Sequence, residues 1–269
     1  MNREVDRLTA ALIDPTTHKD WMMPHSFQWY AGLGSLTGKY AYPWNSTITG
    51  PDAERIFAQE VAGMVPGKKV LDVGCGHGDF TIGWSPVVQH IVGLDITADF
   101  IHTAYSTAPA NVSFVTANTK DRLPFEQNEF DCAYNRKGPT SAYPELTRII
   151  KKGGRLIALH PGDRLSPELS ILFPGLYGPQ QEGTPVLDKI KQRLDASGFA
   201  EAEIETVLGT QYLHGPLDIV RLRCFGQTSA VHEMVMESSL PEISRIFAQH
   251  QTTHGLPTTV EYYIVRATV

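Results

Sequence analysis

The chain has 269 residues, 42% of them hydrophobic and 19% charged, with a formal net charge of −6 and a sequence pI near 5.9. That length can bury one large core, and the acidic balance, without any Lys/Arg run, weighs against a nucleic-acid partner. No stretch approaches the roughly 20 apolar residues of a membrane span, and the polar start Met1 to Asp6 does not read as a signal peptide. Cys75, Cys132 and Cys224 are scattered and odd in number, which fits a reducing, cytoplasmic setting better than a disulfide framework.

Residues 1–50 do not read as part of a parallel sheet. Val5, Leu8 and Leu12 give Arg3 to Ile13 a helical spacing, and the stretch is rich in aromatics from Trp21 to Trp44. From residue 51 the pattern becomes regular. Ile56, Phe57, Val61 and Met64 form the apolar stripe of a helix that stops at Pro66-Gly67. Lys69 to Val73 predicts a buried strand, followed by glycines at 74, 76 and 78. The spacing lets the backbone take positive φ and come close to a ligand. It is Gly-x-Gly-x-Gly: the last glycine of a dinucleotide fingerprint would fall on Asp79. Carboxylates at Asp72 and Asp79 repel a pyrophosphate and favour a cation. The next strand, His90 to Leu94, ends on Asp95, placed to accept hydrogen bonds from ribose hydroxyls.

Further along, Thr97 reads as the N-cap of a helix carrying Phe100, Ile101 and Ala104. Strands are expected at Val112 to Thr116, Phe130 to Tyr134 and Arg155 to Leu159. A helix is expected from Tyr143 to Lys152, closed by Gly153-Gly154. Thr184-Pro185 opens another helix, Ala202 to Val207 and Val260 to Val265 read as late strands, and residues 213–256 as a helical insertion. Strands alternating with helices imply a doubly wound, mostly parallel sheet.

The glycine loop and Asp95 together resemble the opening motif of the class I S-adenosylmethionine-dependent methyltransferases. The resemblance covers about residues 51–210 and the last strand. It implies an α/β, doubly wound, Rossmann-like sheet of seven strands with an antiparallel edge. It also implies a methyltransferase domain over 51–269 and an N-terminal lid over residues 1–50, whose aromatics either wall the substrate pocket or simply pack on the edge of the core. The cofactor would be S-adenosyl-L-methionine, bound by Asp72, Gly74, Cys75, Gly76, Asp95, Ile96, Asn118, Thr119 and Asn135. Tyr30, Arg136 and His160 are expected at the acceptor. Arg136 and Lys137 form a positive pair that either binds an acidic group or is simply solvated. His77, His160, Tyr30 and Tyr143 are the candidate bases, and nothing in the sequence chooses among them.

The run from Asn135 to Gly162 is also similar to the RlmA-type ribosomal RNA guanine methyltransferases, but no Cys-x-x-Cys exists to form their zinc module. No metal site is expected. A small-molecule acceptor is therefore favoured, with RNA, or a cofactor-binding protein without catalysis, as alternatives.

Overall fold

A computed structural model describes residues 12–269. The helix expected over Arg3 to Ile13 falls almost entirely outside the described residues. The centre of the molecule is one sheet in the order β1-β7-β8-β6-β5-β2-β3-β4. Here β2 is Lys69–Val73, β3 His90–Asp95, β4 Val112–Thr116, β5 Phe130–Arg136 and β6 Ile150–Pro161, and these five run parallel. The long strands β7 (Glu201–Leu213) and β8 (Leu256–Thr268) form an antiparallel hairpin, and β8 also pairs antiparallel with β6.

The fold class is thus as expected, a mostly parallel α/β sheet with an antiparallel edge. It has eight strands rather than seven because Ser46–Thr49 (β1) adds to the outside of β7. That short segment shows no apolar alternation: one residue is half-buried and three are exposed, which is why its composition hides it. The late strands are also longer than expected. Their outer positions carry charge, with Arg266 holding Glu60, Glu203 and Glu205 together across the sheet.

Helices cover both faces. One core packs α5 (Tyr143–Ile149) and α7 (Pro185–Asp195) against Leu71, Val73, Leu156 and Ala158. The other packs α2 (Ala53–Met64) and α4 (Ala98–Tyr105) against Val70, Ile91, Cys132 and Ile157. The alternation of strand side chains between faces sorts these residues. α3 (Asp79–Gly83) is only five residues long, cut short before Pro86.

Helix α5 stops at Ile149, not at Lys152. Ile150 already pairs with Phe130, and Lys151 is drawn to Asp131 at 2.6 Å. The fully buried, β-branched Ile150 joins the pleated surface of the sheet instead of a further helical turn. Lys151 therefore serves a strand ion pair, not a helix dipole.

A third body sits over the carboxyl ends of the strands. The insertion supplies α8 (Pro216–Arg223) and α9 (Ser229–His250), with α6 (Pro167–Leu172) beside them. The N-terminal segment, including α1 (Phe27–Thr37), threads across this body and is pinned to it. Gln227, itself buried, donates to the Met22 carbonyl at 2.7 Å and accepts from the Met22 N–H at 2.9 Å. Trp29 Nε1 donates to the Phe225 carbonyl, Asn45 N–H to Asp218 Oδ1 and Ile13 N–H to Ser239 Oγ. Residues 12–45 and 213–256 therefore pack as one cap, although they are far apart in sequence.

Replacing Gln227 with Leu leaves both polar groups of Met22 unpartnered, and unfolding free energy should fall by roughly 1–3 kcal/mol for each group left dry. Urea titration measures the loss. Hydrogen exchange should show faster opening near Met22 and unchanged protection in β2 and β5.

Candidate active site

The cap and the strand ends enclose a cavity of about 1040 Å³. This lies at the upper end of the ~300–1,000 Å³ range of ligand pockets, room for a nucleoside cofactor and a small acceptor together. Its floor is the glycine loop. Gly74, Gly76 and Gly78 all have positive φ, at +79°, +56° and +81°. A Cβ on Gly74 would lie 2.8 Å from Gly138 Cα and 3.1 Å from Pro139 Cδ. Any side chain at Gly74 thus collides with the loop after β5 before it reaches the cavity.

Two carboxylates flank the loop. Asp95, at the tip of β3, accepts from Gly76 N–H at 2.9 Å through Oδ2 and from Thr97 N–H at 2.8 Å through Oδ1. Burial pushes its carboxyl upward despite these bonds. Thr97 is the N-cap of α4 by position, but its hydroxyl makes no cap bond. Asp72, at the end of β2, is 2% exposed. Its Oδ2 accepts from Thr81 Oγ1 at 2.6 Å and Tyr134 OH at 2.9 Å, while Oδ1 has no partner although it is buried. Burial raises Asp72 from 3.8 to about 7, against the pull of those two hydroxyls.

Asp72, Gly74, Cys75, Gly76, Asp95, Ile96, Asn118 and Thr119 all line the cavity. Asn135 does not. It is fully buried, with Oδ1 accepting from Gly138 N–H and Nδ2 donating to the Pro139 carbonyl. It braces the loop that lies over Gly74. At the acceptor end Tyr30 and Arg136 line the cavity, but His160 does not. His160 is buried, 2.6 Å through Nε2 from the Tyr143 hydroxyl, and burial lowers it to about 4. The cause is its place in β6, on the face turned into the sheet packing.

The candidate bases narrow accordingly. Tyr143 is buried with His160. His77 accepts from Tyr40 N–H through Nδ1 at 3.1 Å, and its Nε2 is 3.1 Å from Asp79, so both ring nitrogens are engaged. Tyr30 faces the cavity with its hydroxyl 3.1 Å from His25 Nδ1, a partner invisible in the sequence. Burial and the nearby Asp95 raise Tyr30 to about 12.

Arg136 and Lys137 are not simply solvated: both bond Glu54, one to each carboxylate oxygen. Tyr40 and Tyr42 also line the cavity. Glu54, Tyr40 and Tyr42 were not readable as site residues, since the first resembles an ordinary acid in a first helical turn and the others two among many aromatics. Among the described residues no cluster of His, Cys, Asp and Glu could hold a metal ion. No described helix is long and apolar enough to cross a membrane.

Residues 70–155, the glycine loop through the start of β6, match the family model described as a methyltransferase domain. With the sheet and loop described above, this likeness marks residues 70–155 as a methyltransferase domain.

Over 131 residues the chain is 31% identical to a ubiquinone/menaquinone biosynthesis C-methyltransferase of Vibrio cholerae, covering 44% of this chain and 50% of that one. The chain spans about half the length of the curated relatives it matches. A functionally unknown protein from Deinococcus radiodurans R1 shares the fold with a TM-score of 0.57 at 21% identity, over 90% of this chain and 97% of that one. The [4+2]-cyclase SpnF shares it at 0.53 and 16% identity, over 90% and 94%. These two likenesses speak to fold alone.

The ligand-free chain should lose stability as pH rises from 3.8 to about 7. In that window the folded Asp72 holds a proton that the unfolded one has lost, so the folded state binds more protons. Urea unfolding at about pH 5 and about pH 7.5 should show the fall, and Asp72→Asn should remove that part of it.

Proposed function

We propose that the chain binds S-adenosylmethionine across the glycine loop and transfers its methyl group to a small-molecule acceptor held beneath the cap. The observation that carries this is the unpartnered Oδ1 of Asp72, a buried carboxylate oxygen beside the cavity that calls for a cationic donor. The ammonium of the cofactor is such a donor. In this reading Asp95 takes the ribose hydroxyls, with lone pairs left over from its bonds to Gly76 and Thr97. Asn118 and Thr119 face the adenine, Ile96 packs on it, and Gly74, Cys75 and Gly76 offer bare backbone. Asn135 acts one step back, by holding the Gly138–Pro139 loop in place.

When bound, S-adenosylmethionine supplies an electrophilic methyl on a sulfonium whose departure needs no acid. The chain's own residues then have to position and to exclude water. Alignment of this kind contributes up to about 7–11 kcal/mol. Tyr30, Tyr40 and Tyr42 of the cap line the cavity, which supports a lid role for the N-terminal segment. A small molecule fits that enclosed space better than an RNA chain does. The sequence relatives named for ubiquinone and menaquinone biosynthesis favour a small acceptor too.

Asp95→Ala removes two hydrogen bonds to a charged acceptor, roughly 1.5–3 kcal/mol each, so affinity for S-adenosylhomocysteine should fall at least about tenfold. Calorimetry checks this, and near-native binding by the variant would overturn the assignment. Binding should also release a proton. The ligand's ammonium favours ionised Asp72, so affinity should rise with pH up to about 7 and level off above it. Titrations in buffers of different ionisation enthalpy read the proton directly, and Asp72→Asn should be weak and insensitive to pH.

A further inference from the structure

The cluster formed by Glu54, Arg136 and Lys137 is not used by the cofactor reading. Glu54 stands in the first turn of α2 and shares its carboxylate between the two cations. Burial alone would raise Glu54; Lys137 and Arg136 more than reverse this and hold it below the usual carboxylate range. Two cations on one carboxylate leave one positive charge in excess. Arg136 lies against Phe80, 4.7 Å from the ring centre, while Lys137 Nζ lies 4.9 Å from the Tyr42 ring and 5.3 Å from that of Tyr262.

Lys137 holds φ at +61°, a region a residue with a side chain seldom adopts, at the point where β5 gives way to the loop over Gly74. Its backbone N–H is tied to the Leu159 carbonyl at 2.7 Å. The backbone thus fixes an ammonium at the cavity wall, between two phenol rings.

What surrounds this ammonium narrows the acceptor. Glu54, held as an ion by its two partners, is a poor proton acceptor. The rings of Tyr42 and Tyr262 are the other groups packed against Lys137. A fixed positive charge at the cavity wall suits an acceptor that is already an anion.

We propose that Lys137 anchors an acidic acceptor, one that carries a carboxylate or a phenolate. This rests on the reading that the rest of the cavity holds the cofactor. The test uses the full chain saturated with S-adenosylhomocysteine, probed with benzoate and its neutral counterpart benzamide by calorimetry. It also uses 4-nitrophenol, whose visible absorption reports its own ionisation.

Benzoate should bind about tenfold more tightly than benzamide, and bound 4-nitrophenol should ionise at lower pH than in water. Lys137→Met should abolish both effects and Lys137→Arg should keep the preference. Glu54→Gln should strengthen benzoate binding by removing the competing carboxylate, an effect a purely structural cluster would not give. Lys189 and Arg193 also line the cavity, so Lys189→Ala and Arg193→Ala should leave the preference intact.

Equal binding of benzoate and benzamide overturns the proposal. So does a preference that survives Lys137→Met, or weaker benzoate binding by Glu54→Gln. In each case normal uptake of S-adenosylhomocysteine leaves the cofactor reading standing. A folded chain that ignores S-adenosylhomocysteine overturns the cofactor reading itself.

Discussion

One carboxylate decides where everything else at the site can be. Asp95 joins the glycine loop after β2 to the first turn of α4, because its two oxygens take the N–H groups of Gly76 and Thr97. Backbone bonds from Gly74 and Cys75 to the Leu94 carbonyl tie the loop to β3, and Asp95 is the side chain that links it on to α4. Helix α1 of the cap then seats against the same spot. Gly34 leaves so little room that a Cβ there would lie 3.1 Å from both Asp99 and Thr97. The cofactor cradle and the cap thus share one foundation, at the junction of β3 and α4.

The fold was legible where local pattern and tertiary need agree. Strand β4 matches its sequence bounds because Val112 to Thr116 is apolar, β-branched and closed by turns. The sequence was less informative where long-range partners decide. Nothing near Ser46 announces a strand, since the partner that makes it one is β7, more than 160 residues away. Ile150 is a strand residue because Phe130 lies beside it, not because of its neighbours in sequence.

The site divides in the same way. Most of the residues expected around the cofactor face the cavity because backbone geometry at strand ends places them there, and strand ends can be read from sequence. The acceptor end follows side-chain partnerships instead. His160 turned out to be sequestered by Tyr143, and Arg136 to be tied to Glu54, 82 residues earlier. A charge or an imidazole at the right strand end says where it begins, not which way it is turned.

The pinning of the cap to the insertion has a consequence for how the molecule assembles. The bonds from Met22 to Gln227 and from Ile13 to Ser239 close loops of more than 200 residues. Closing such a loop gains nothing until both ends exist, so during synthesis the N-terminal segment has no seat until helices α8 and α9 have emerged. The central strands can pair well before then. The roof of the cavity therefore cannot close until most of the chain has emerged, by which time the central parallel strands can already have paired beneath it.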